Sequence, residues 1–386
     1  MSSARYCILV ADSGVYPGIG QLIELLGEDD SLQLAVFNNP VEALEAIKQR
    51  PPLLLITQPD WDADPEFLSQ ASQAIYPCPT IALVDTSSAA EGITLLGRGA
   101  SDLLALPIVD RQAIEHILAR NLERAELLNQ SQYFRDELEQ SLALLKEDQQ
   151  AGRQVQLKML PSNQVVINDY HFEYRIKPSL FLSGDFVDYF RISESLSMFY
   201  LADISGHGAS SAFVTVLLKN MTNRLLRNYN RGSSFHILSP TDVLARVNKE
   251  LLDTGLGKHM TIFVGLLDRI ENTLQYGVGG HFPMPILRQG DRAEYLGGCG
   301  MPVGLFDDAE FEGRIVELED EFSLTLFSDG VLEVLDQPDL KAKEKCLLDV
   351  AAQGYDDLDD LARKLGIDHV DDAPDDIAAL SVTRRL

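Results

Sequence analysis

The first part of the chain alternates short apolar runs with amphipathic stretches. The apolar runs, each of which predicts a strand, cover residues 6–11, 32–37, 53–57, 80–84 and 103–106. Residues 18–27 and 40–48 between them have apolar side chains at helical spacing. Continuous apolar strands that alternate with helices are typical of a parallel sheet covered on both faces. The pattern therefore predicts an α/β domain with a doubly wound parallel sheet over residues 1–122.

A second pattern, with apolar residues three and four positions apart, runs from residue 110 to residue 160. Its members include Ile114, Leu118, Leu122, Ala125, Leu128, Phe134, Leu138, Leu142 and Leu145. No proline or glycine interrupts residues 111–151, and a helical pattern this long without caps indicates a coiled coil or a long signalling helix. We expect a helical linker over residues 123–160. The pattern favours a linker that joins two copies of the chain in a homodimer over one that packs on its own domain.

From Pro161 onward, strand-like alternation dominates. Helical spacing is confined to residues 209–229, 239–252 and 357–365. Strands without regular alternation with helices, and helices grouped in a few blocks, indicate an α+β sandwich. We therefore expect a β-sandwich flanked by helices over residues 161–386.

Composition narrows the classes of partner. The 386 residues include 59 acidic and 32 basic side chains, which gives a net charge of −27. A surface this acidic argues against nucleic acid and against an anionic membrane as partners, because both attract basic residues. The chain shows no signal-peptide pattern and no apolar stretch of membrane-spanning length, and its scattered cysteines form no zinc or disulfide motif. These features predict a cytoplasmic protein.

Aspartates stand at the ends of apolar runs in the region that follows Pro161. They are Asp185, Asp203, Asp329, Asp375 and Asp376. One such residue alone is usually a turn former or a cap. Together, on neighbouring strands, they would form an oxygen-only cage for two divalent cations, either Mg²⁺ or Mn²⁺. Because two adjacent cations can activate a bridging water and hold a phosphate for in-line attack, the pattern indicates metal-assisted phosphate chemistry.

Residues 1–122 resemble the receiver domain of response regulators. The resemblance rests on the phrases Ile8-Leu9-Val10-Ala11-Asp12, Pro79-Thr80-Ile81-Ala82-Leu83 and Gly99-Ala100-Ser101-Asp102-Leu103-Leu104-Ala105-Leu106-Pro107. It implies the parallel sheet already predicted from the apolar pattern.

The chemical positions of that family are largely lost. Thr57 stands where a receiver has its phosphoacceptor Asp, Val84 stands at the hydroxyl position and Leu106 at the Lys position. Ser13 replaces one acid of the pair that would include Asp12. The resemblance therefore implies no phosphoacceptor. Two alternatives remain open: a pseudo-receiver that binds an upstream regulator, or a folded dimerisation module without a signalling role.

The region after Pro161 resembles PPM-type metal-dependent serine/threonine phosphatases of the SpoIIE branch. Six phrases in the family's order carry the likeness: Ser183-Gly184-Asp185-Phe186, Ala202-Asp203-Ile204-Ser205-Gly206-His207-Gly208, Gly280-His281-Phe282-Pro283, Gly300-Met301-Pro302-Val303-Gly304, Phe327-Ser328-Asp329-Gly330-Val331 and Asp375-Asp376-Ile377. Each phrase alone is weak, but six in the same order make chance agreement very rare.

This resemblance implies a role for each aspartate. Asp203 would bridge two cations, the main-chain carbonyl of Ile204 would contact the second, and Asp329 would complete the paired site. Asp203 and Asp329 would thus carry the catalytic site. Asp375 would hold the other cation, with Asp376 as its support or substitute.

Asp185 would be a direct or supporting ligand of the same centre. Ser183 and Ala378 depart from the residues that the family more often has, but they neighbour the ligands rather than supply them. For His207 we favour a structural turn position over a catalytic acid. We expect His281 to brace a loop rather than to bind metal.

The function implied is that of a protein serine/threonine phosphatase, a phosphoric monoester hydrolase. In this branch the substrate is a phosphorylated anti-sigma-factor antagonist in a bacterial partner-switching pathway of the general stress response, and helices next to the metals often control activity. The alternative is a non-catalytic adaptor, because a receiver followed by a phosphatase-like domain also resembles adaptors that bind a sigma factor. The retained acids favour the enzyme, since a scaffold gains nothing from carboxylates that repel one another.

Overall fold

The computed structural model describes residues 5–12, 18–59, 61, 66–75, 78–85, 92–206, 208–370 and 373–385. The chain divides into two compact units, residues 1–143 and residues 144–386. The boundary falls inside one long helix. The predicted domain limits of 1–122, 123–160 and 161–386 are a finer division and stay a prediction.

The first unit is an α/β layer structure built on one sheet. In chain order its elements are β1 (Arg5–Val10), α1 (Ile19–Gly27), β2 (Leu32–Phe37), α2 (Pro40–Gln49), β3 (Leu54–Thr57), α3 (Phe67–Ala74), β4 (Thr80–Asp85), α4 (Gly92–Gly97), β5 (Asp102–Leu106) and α5 (Arg111–Met159). All neighbouring strands are parallel, in the order β2-β1-β3-β4-β5. This is the flavodoxin-like order of doubly wound sheets, and it confirms the predicted parallel α/β sheet.

Alternate residues of β1 pack on opposite faces of the sheet. Cys7 and Leu9 belong to the core that includes α1 and α5, whereas Ile8 and Val10 belong to the core that includes α2 and α3. A strand buried on both faces must be apolar throughout, and this explains the unbroken apolar runs of the sequence. At the end of β3 the fully buried Thr57 donates its hydroxyl to the Gln58 carbonyl at 3.0 Å.

Helix α5 is continuous for 49 residues. Near its start, Ile114, Leu118 and Leu122 are buried in the core of the first unit. Farther along, apolar side chains of the predicted pattern are exposed: Phe134 by 64%, Leu138 by 59%, Leu142 by 46% and Leu145 by 53%. Leu127, which the sequence pattern did not include, is exposed by 60%. The middle of the helix thus presents an apolar stripe to solvent.

In its described residues, the second unit contains eleven strands and all the helices that follow α5. In chain order its elements are β6 (Val165–Ile167), β7 (Tyr170–Lys177), β8 (Asp185–Arg191), β9 (Leu196–Ile204), α6 (Ala209–Asn230), a 3-10 turn (His236–Leu238), α7 (Pro240–Asp253), β10 (Met260–Asp268), β11 (Thr273–Gly279), β12 (Ile286–Gln289), β13 (Arg292–Tyr295), β14 (Gly313–Glu317), β15 (Phe322–Phe327), α8 (Gly330–Val334), α9 (Leu340–Gln353), α10 (Leu358–Leu365) and β16 (Ile377–Arg384).

Two antiparallel sheets form a sandwich in this unit. Their strand orders are β14-β11-β10-β9-β8 and β13-β12-β15-β16-β7-β6. In β9, Phe199 and Leu201 join the core between the sheets, whereas Met198, Tyr200 and Ala202 join the core under α6 and α7. Helices α9 and α10 cover the outer face of the other sheet. The predicted β-sandwich flanked by helices is therefore what the chain forms.

No helix in the described ranges is both long enough and apolar enough to cross a membrane.

Candidate metal centre

Asp185 and Asp203 face each other across the antiparallel pair of β8 and β9. Asp185 is the first residue of β8, Asp203 is the last but one of β9, and the strand register sets the two directly opposite. Residues opposed in this way have Cβ atoms about 5 Å apart. Asp185 is buried, with 2% of its surface exposed. The register therefore places two carboxylates side by side at one end of this sheet.

Asp329 and Asp375 reach the same place from the other sheet. Asp329 lies between β15 and α8, and Asp375 lies just before β16, the neighbour of β15. Both act electrostatically on Asp203. Carboxylates from both layers of the sandwich thus come together at one end.

Two glycines allow the backbone segments around these acids to approach closely. A Cβ at Gly184 would lie 2.8 Å from the carbonyl oxygen of Ile204 and 3.1 Å from that of Gly206. A Cβ at Gly330 would lie 2.0 Å from the carbonyl oxygen of Asp376. Any larger residue would push these strand ends apart, and the small residues of the sequence phrases are explained by this crowding.

The carboxyl groups of Asp185, Asp203 and Asp329 hold protons more tightly than isolated aspartates do. Burial, followed by repulsion from Asp329 and Asp375, raises the pKa of Asp203 to about 7. Burial and the nearby Asp203 raise the pKa of Asp185 well above its ordinary value, and burial with repulsion from Asp375 raises the pKa of Asp329. Like charges in a desolvated place resist ionising together, and a bound cation would remove that conflict.

Asp376 and Ser328 support the cluster through hydrogen bonds. One oxygen of Asp376 accepts from the Ser179 amide at 2.6 Å and from its hydroxyl at 2.8 Å, and the other accepts from the Gly184 amide at 2.5 Å. The Ser328 hydroxyl donates to Asp185 Oδ2 at 2.7 Å and accepts from the Ala378 amide at 2.8 Å. Because both oxygens of Asp376 are engaged, the geometry favours its supporting role over its role as a ligand.

The donor atoms fit a hard divalent cation in their chemistry. All are oxygens, and the buried Oδ1 of Asp185 has no hydrogen-bond partner among the described residues. Within those same residues, no three or more histidine, cysteine, aspartate or glutamate side chains are grouped so that they could hold a metal ion as they stand. The aspartates are near enough to perturb one another without forming a closed cage. Their roles as ligands, together with that of the Ile204 carbonyl, stay predictions.

The two histidines of the sequence phrases differ in what the structure says of them. His207 lies outside the described residues. His281 is buried, and in the described part of the chain neither ring nitrogen has a hydrogen-bond partner. Its ring centroid lies 6.1 Å from that of Phe263 in the sandwich core. Burial lowers the pKa of His281 to about 4, so the imidazole is neutral at ordinary pH.

Comparison with known proteins assigns the second unit to a family. Residues 193–385 match the family model described as Stage II sporulation protein E, and the match covers half of the chain. The chain belongs to the SpoIIE family. The resemblance inferred from the six sequence phrases is thereby confirmed.

Two curated relatives are similar to the chain over part of their length. Phosphoserine phosphatase RsbP of Bacillus subtilis is 26% identical over 197 residues, which are 49% of this chain and 46% of that protein. Protein IcfG of Synechocystis is 21% identical over 202 residues, which are 47% of this chain and 32% of that protein. The chain therefore matches less than half the length of either relative.

A solved structure shows the same fold. The SiaA-PP2C domain of Pseudomonas aeruginosa is similar with a TM-score of 0.50 at 18% identity, over 64% of this chain and 99% of that domain. At this identity the likeness shows the fold alone. The helix-flanked sandwich of the second unit is a PP2C-type fold.

Three residues near the aspartates were not singled out from the sequence. Ser328 lies within a quoted phrase, and its hydroxyl could have been suspected from its place next to Asp329. Ser179 and Gln156 give no such signal, because each reaches the cluster from a distant part of the chain.

Proposed function

We propose that the chain is a metal-dependent protein phosphatase that removes phosphate from phosphoserine or phosphothreonine. The observation that carries the proposal is the opposed pair of Asp185 and Asp203, whose pKa values are raised by burial and by neighbouring acids. Membership of the SpoIIE family and the PP2C-type fold support it. The location that goes with this function is the cytoplasm.

The residues of the chain would divide the work as follows. Two bound cations, Mn²⁺ or Mg²⁺, would supply an activated water and a clamp for the phosphoryl oxygens. Asp203 and Asp329 would hold them from the two sheets, and Asp375 and Asp185 would complete their surroundings. Ser328 orients Asp185, and Asp376 fixes the Gly184 amide beside it.

The first test is phosphate release from a generic aryl phosphate, with Mn²⁺ and with chelator. We expect turnover only with Mn²⁺, and loss of turnover in Asp203→Asn and Asp329→Asn. Asp308→Asn is the matched control because Asp308 is exposed. The opposite result is a wild-type protein that hydrolyses no phosphate ester under any metal condition and yet binds a sigma factor tightly. That result would show that the chain is an adaptor rather than an enzyme.

As its physiological substrate we propose a phosphorylated anti-sigma-factor antagonist. A relative that bears the name phosphoserine phosphatase supports the phosphoserine part of this proposal. The test compares a phosphorylated antagonist with an unrelated phosphoserine protein at equal concentration. A kcat/KM no higher for the antagonist would count against it.

The first unit would then act as a pseudo-receiver that binds an upstream regulator. Its strand order is that of flavodoxin-like sheets, and the buried Thr57 at the acceptor position offers no carboxylate. We expect no incorporation of phosphate from small acyl phosphates into this unit.

The end of α5 offers a physical path for control of the phosphatase site. Gln156 is buried; its amide donates to the Ser183 carbonyl at 2.7 Å and its carbonyl oxygen accepts from the Ser183 amide at 3.1 Å. Ser183 in turn accepts from the Asp185 amide at 3.1 Å. The seating of the helix is therefore coupled to the turn that begins β8. We propose that this contact sets metal occupancy.

A substitution at the end of α5 and a deletion test whether this helix regulates the phosphatase site. Gln156→Ala should weaken metal affinity or turnover by about tenfold or more, as is typical of residues that orient ligands. Gln154→Ala is the control because Gln154 is exposed on the same helix. Deletion of residues 1–150 should also change turnover or metal affinity. Unchanged kinetics in both Gln156→Ala and the deletion would show that α5 does not regulate the site.

We also propose a homodimer joined along the exposed stripe of α5, which includes Leu127, Phe134, Leu138 and Leu145. Apolar side chains at this spacing pair well with a second helix. Sedimentation should show a dimer, and Leu138→Glu should shift it to monomer.

A further inference from the structure

The turn that follows Asp203 is held from outside by the loop before β10. The Ser205 amide donates to the His259 carbonyl at 2.9 Å, and the His259 amide donates to the Ser205 hydroxyl at 3.2 Å. The Lys258 ammonium donates to the Ser205 carbonyl at 2.8 Å and to the Ser211 hydroxyl at 3.2 Å. The Ser211 hydroxyl donates onward to the Gly206 carbonyl at 2.7 Å. Three successive peptide groups, those that carry the Ser205 amide, the Ser205 carbonyl and the Gly206 carbonyl, are therefore tied down.

These bonds determine where the Ile204 carbonyl points. The Ile204 carbonyl and the Ser205 amide belong to one trans peptide group, in which the C=O and N–H bonds point in opposite directions. Because the Ser205 amide faces His259, the Ile204 carbonyl points away from His259. The close approach of that carbonyl oxygen to Gly184 shows the direction, because Gly184 precedes Asp185. Lys258 then holds the next carbonyl, that of Ser205, outward. Without this bond the Ser205–Gly206 peptide could rotate, and Gly206, with φ of 73°, gives little resistance to such a change.

Lys258 serves the turn rather than a surface ion pair. In the described part of the chain it makes no salt bridge, and its bonds go to a carbonyl and a hydroxyl. It is half-buried in a protein with 59 acidic side chains, where a lysine would readily find a carboxylate partner. A charged donor on a main-chain carbonyl makes a stronger bond than a neutral donor does.

We infer that Lys258 is a positioning residue that keeps the Ile204 carbonyl directed at the aspartate cluster and thereby sets the affinity of one cation. This inference rests on the proposed phosphatase function and on the predicted role of that carbonyl as a cation ligand, which the family resemblance implies. In this role Lys258 would touch neither substrate nor cation. Its effect passes through the Ser205 carbonyl and the orientation of the turn.

The test uses the full chain and four proteins: wild type, Lys258→Met, Lys258→Arg and Lys249→Met. Lys249 is an exposed lysine on α7 and is the matched control. The electron paramagnetic resonance signal of free Mn²⁺ measures how much Mn²⁺ binds to chelator-stripped protein. We expect Lys258→Met to weaken one class of Mn²⁺ sites by about tenfold or more, the range typical of groups that orient ligands. Lys258→Arg, which keeps a charged donor, should restore most of the affinity, and Lys249→Met should match wild type.

Steady-state kinetics give a second readout. With Lys258→Met, the Mn²⁺ concentration for half-maximal rate should rise by the same factor, while kcat at saturating Mn²⁺ should stay within about threefold of wild type. A kcat loss that saturating Mn²⁺ does not recover would overturn the positioning role. So would an Mn²⁺ isotherm of Lys258→Met that overlays wild type.

A third readout does not depend on metal or on catalysis. In chelator, amide hydrogen exchange of the peptide that contains residues 204–206 should be faster in Lys258→Met than in wild type, and exchange elsewhere should be unchanged. Equal exchange in both proteins would overturn the inference even if wild type proved to have no phosphatase activity. Failure of the proposed function and failure of the Lys258 inference are thus separate results.

Discussion

The two units of the chain carry different residues at comparable strand ends. In the first unit, Thr57 and Leu106 end β3 and β5, at places where a receiver keeps reactive side chains. Both are buried. In the second unit, Asp185 and Asp203 stand opposite each other at the ends of β8 and β9 and resist ionisation together. A buried acid pair costs stability unless something binds it. The second unit therefore has a physical reason to bind a cation, and the strand ends of the first unit do not.

The largest effect expected from this comparison is on catalysis. Asp203→Asn should lower the rate of phosphate release by about a thousandfold, because a bridging ligand contributes several kcal/mol of transition-state stabilisation. Phosphate release at saturating Mn²⁺ measures it. A loss smaller than about tenfold would show that Asp203 does not bridge cations.

The next largest effect is expected when an acid is introduced at a strand end of the first unit. Thr57→Asp should destabilise that unit by roughly 3 kcal/mol, because it buries a carboxylate without a partner. Trp61 is the sole tryptophan of the chain and is buried in this unit, so its fluorescence during denaturant unfolding reports this unit selectively. Thr57→Val is the control, with a much smaller change expected. Equal stabilities for Thr57→Asp and wild type would mean that this strand end tolerates a charge.

A third prediction concerns the pH dependence of stability that the buried His281 causes. The pKa of His281 is about 4 in the folded chain, against an ordinary value of 6.5. Below pH 6.5 the unfolded chain takes up a proton that the folded chain refuses, so folding stability falls as pH falls toward 4. The loss between pH 7 and pH 5 should be roughly 2 kcal/mol for this one group.

His281→Phe should remove that part of the pH dependence, as measured by denaturant unfolding at both pH values. His236→Gln is the control because His236 is exposed. A pH profile that is the same in His281→Phe and wild type would show that the pKa of His281 does not differ between the folded and unfolded states.

The smallest effect is on the stability of the metal-free second unit. Asp203→Asn removes one of several repelling charges and should raise the free energy of unfolding in chelator by about 1 kcal/mol. With Mn²⁺ present the sign should reverse, since the variant loses a ligand. Calorimetry under both conditions measures the difference. The Trp61 transition should not move in either condition, and a variant less stable in chelator would contradict the repulsion.

Sequence patterns predicted the elements better than the contacts between them. The apolar runs located β1, β3 and the two sheets of the sandwich because burial on one or both faces leaves a local mark. The phrase around Asp203 identified an acid at a strand end for the same reason. By contrast, the register that opposes Asp185 to Asp203 depends on the whole sheet and leaves no local mark.

The supporting residues were harder still to predict. Gln156 and Lys258 read as ordinary polar residues of a helix and of a loop. The roles proposed for them rest on hydrogen bonds to Ser183 and Ser205, which lie 27 and 53 positions away in the chain. Helix α9 was also missed, because the mixed charges of its sequence hide the apolar face that includes Leu347 and Val350.

With the proposed cation bound, the pairing of Asp185 with Asp203 would also make cation affinity depend on strand alignment. A slip of one residue between β8 and β9 would turn one carboxylate to the opposite face of the sheet. A copy assembled in that way would lack the opposed acids and would gain no binding energy from the cation. Copies with the native alignment would be stabilised by mass action at any cation concentration above the dissociation constant. The cation proposed for catalysis would then also favour correctly aligned copies during folding.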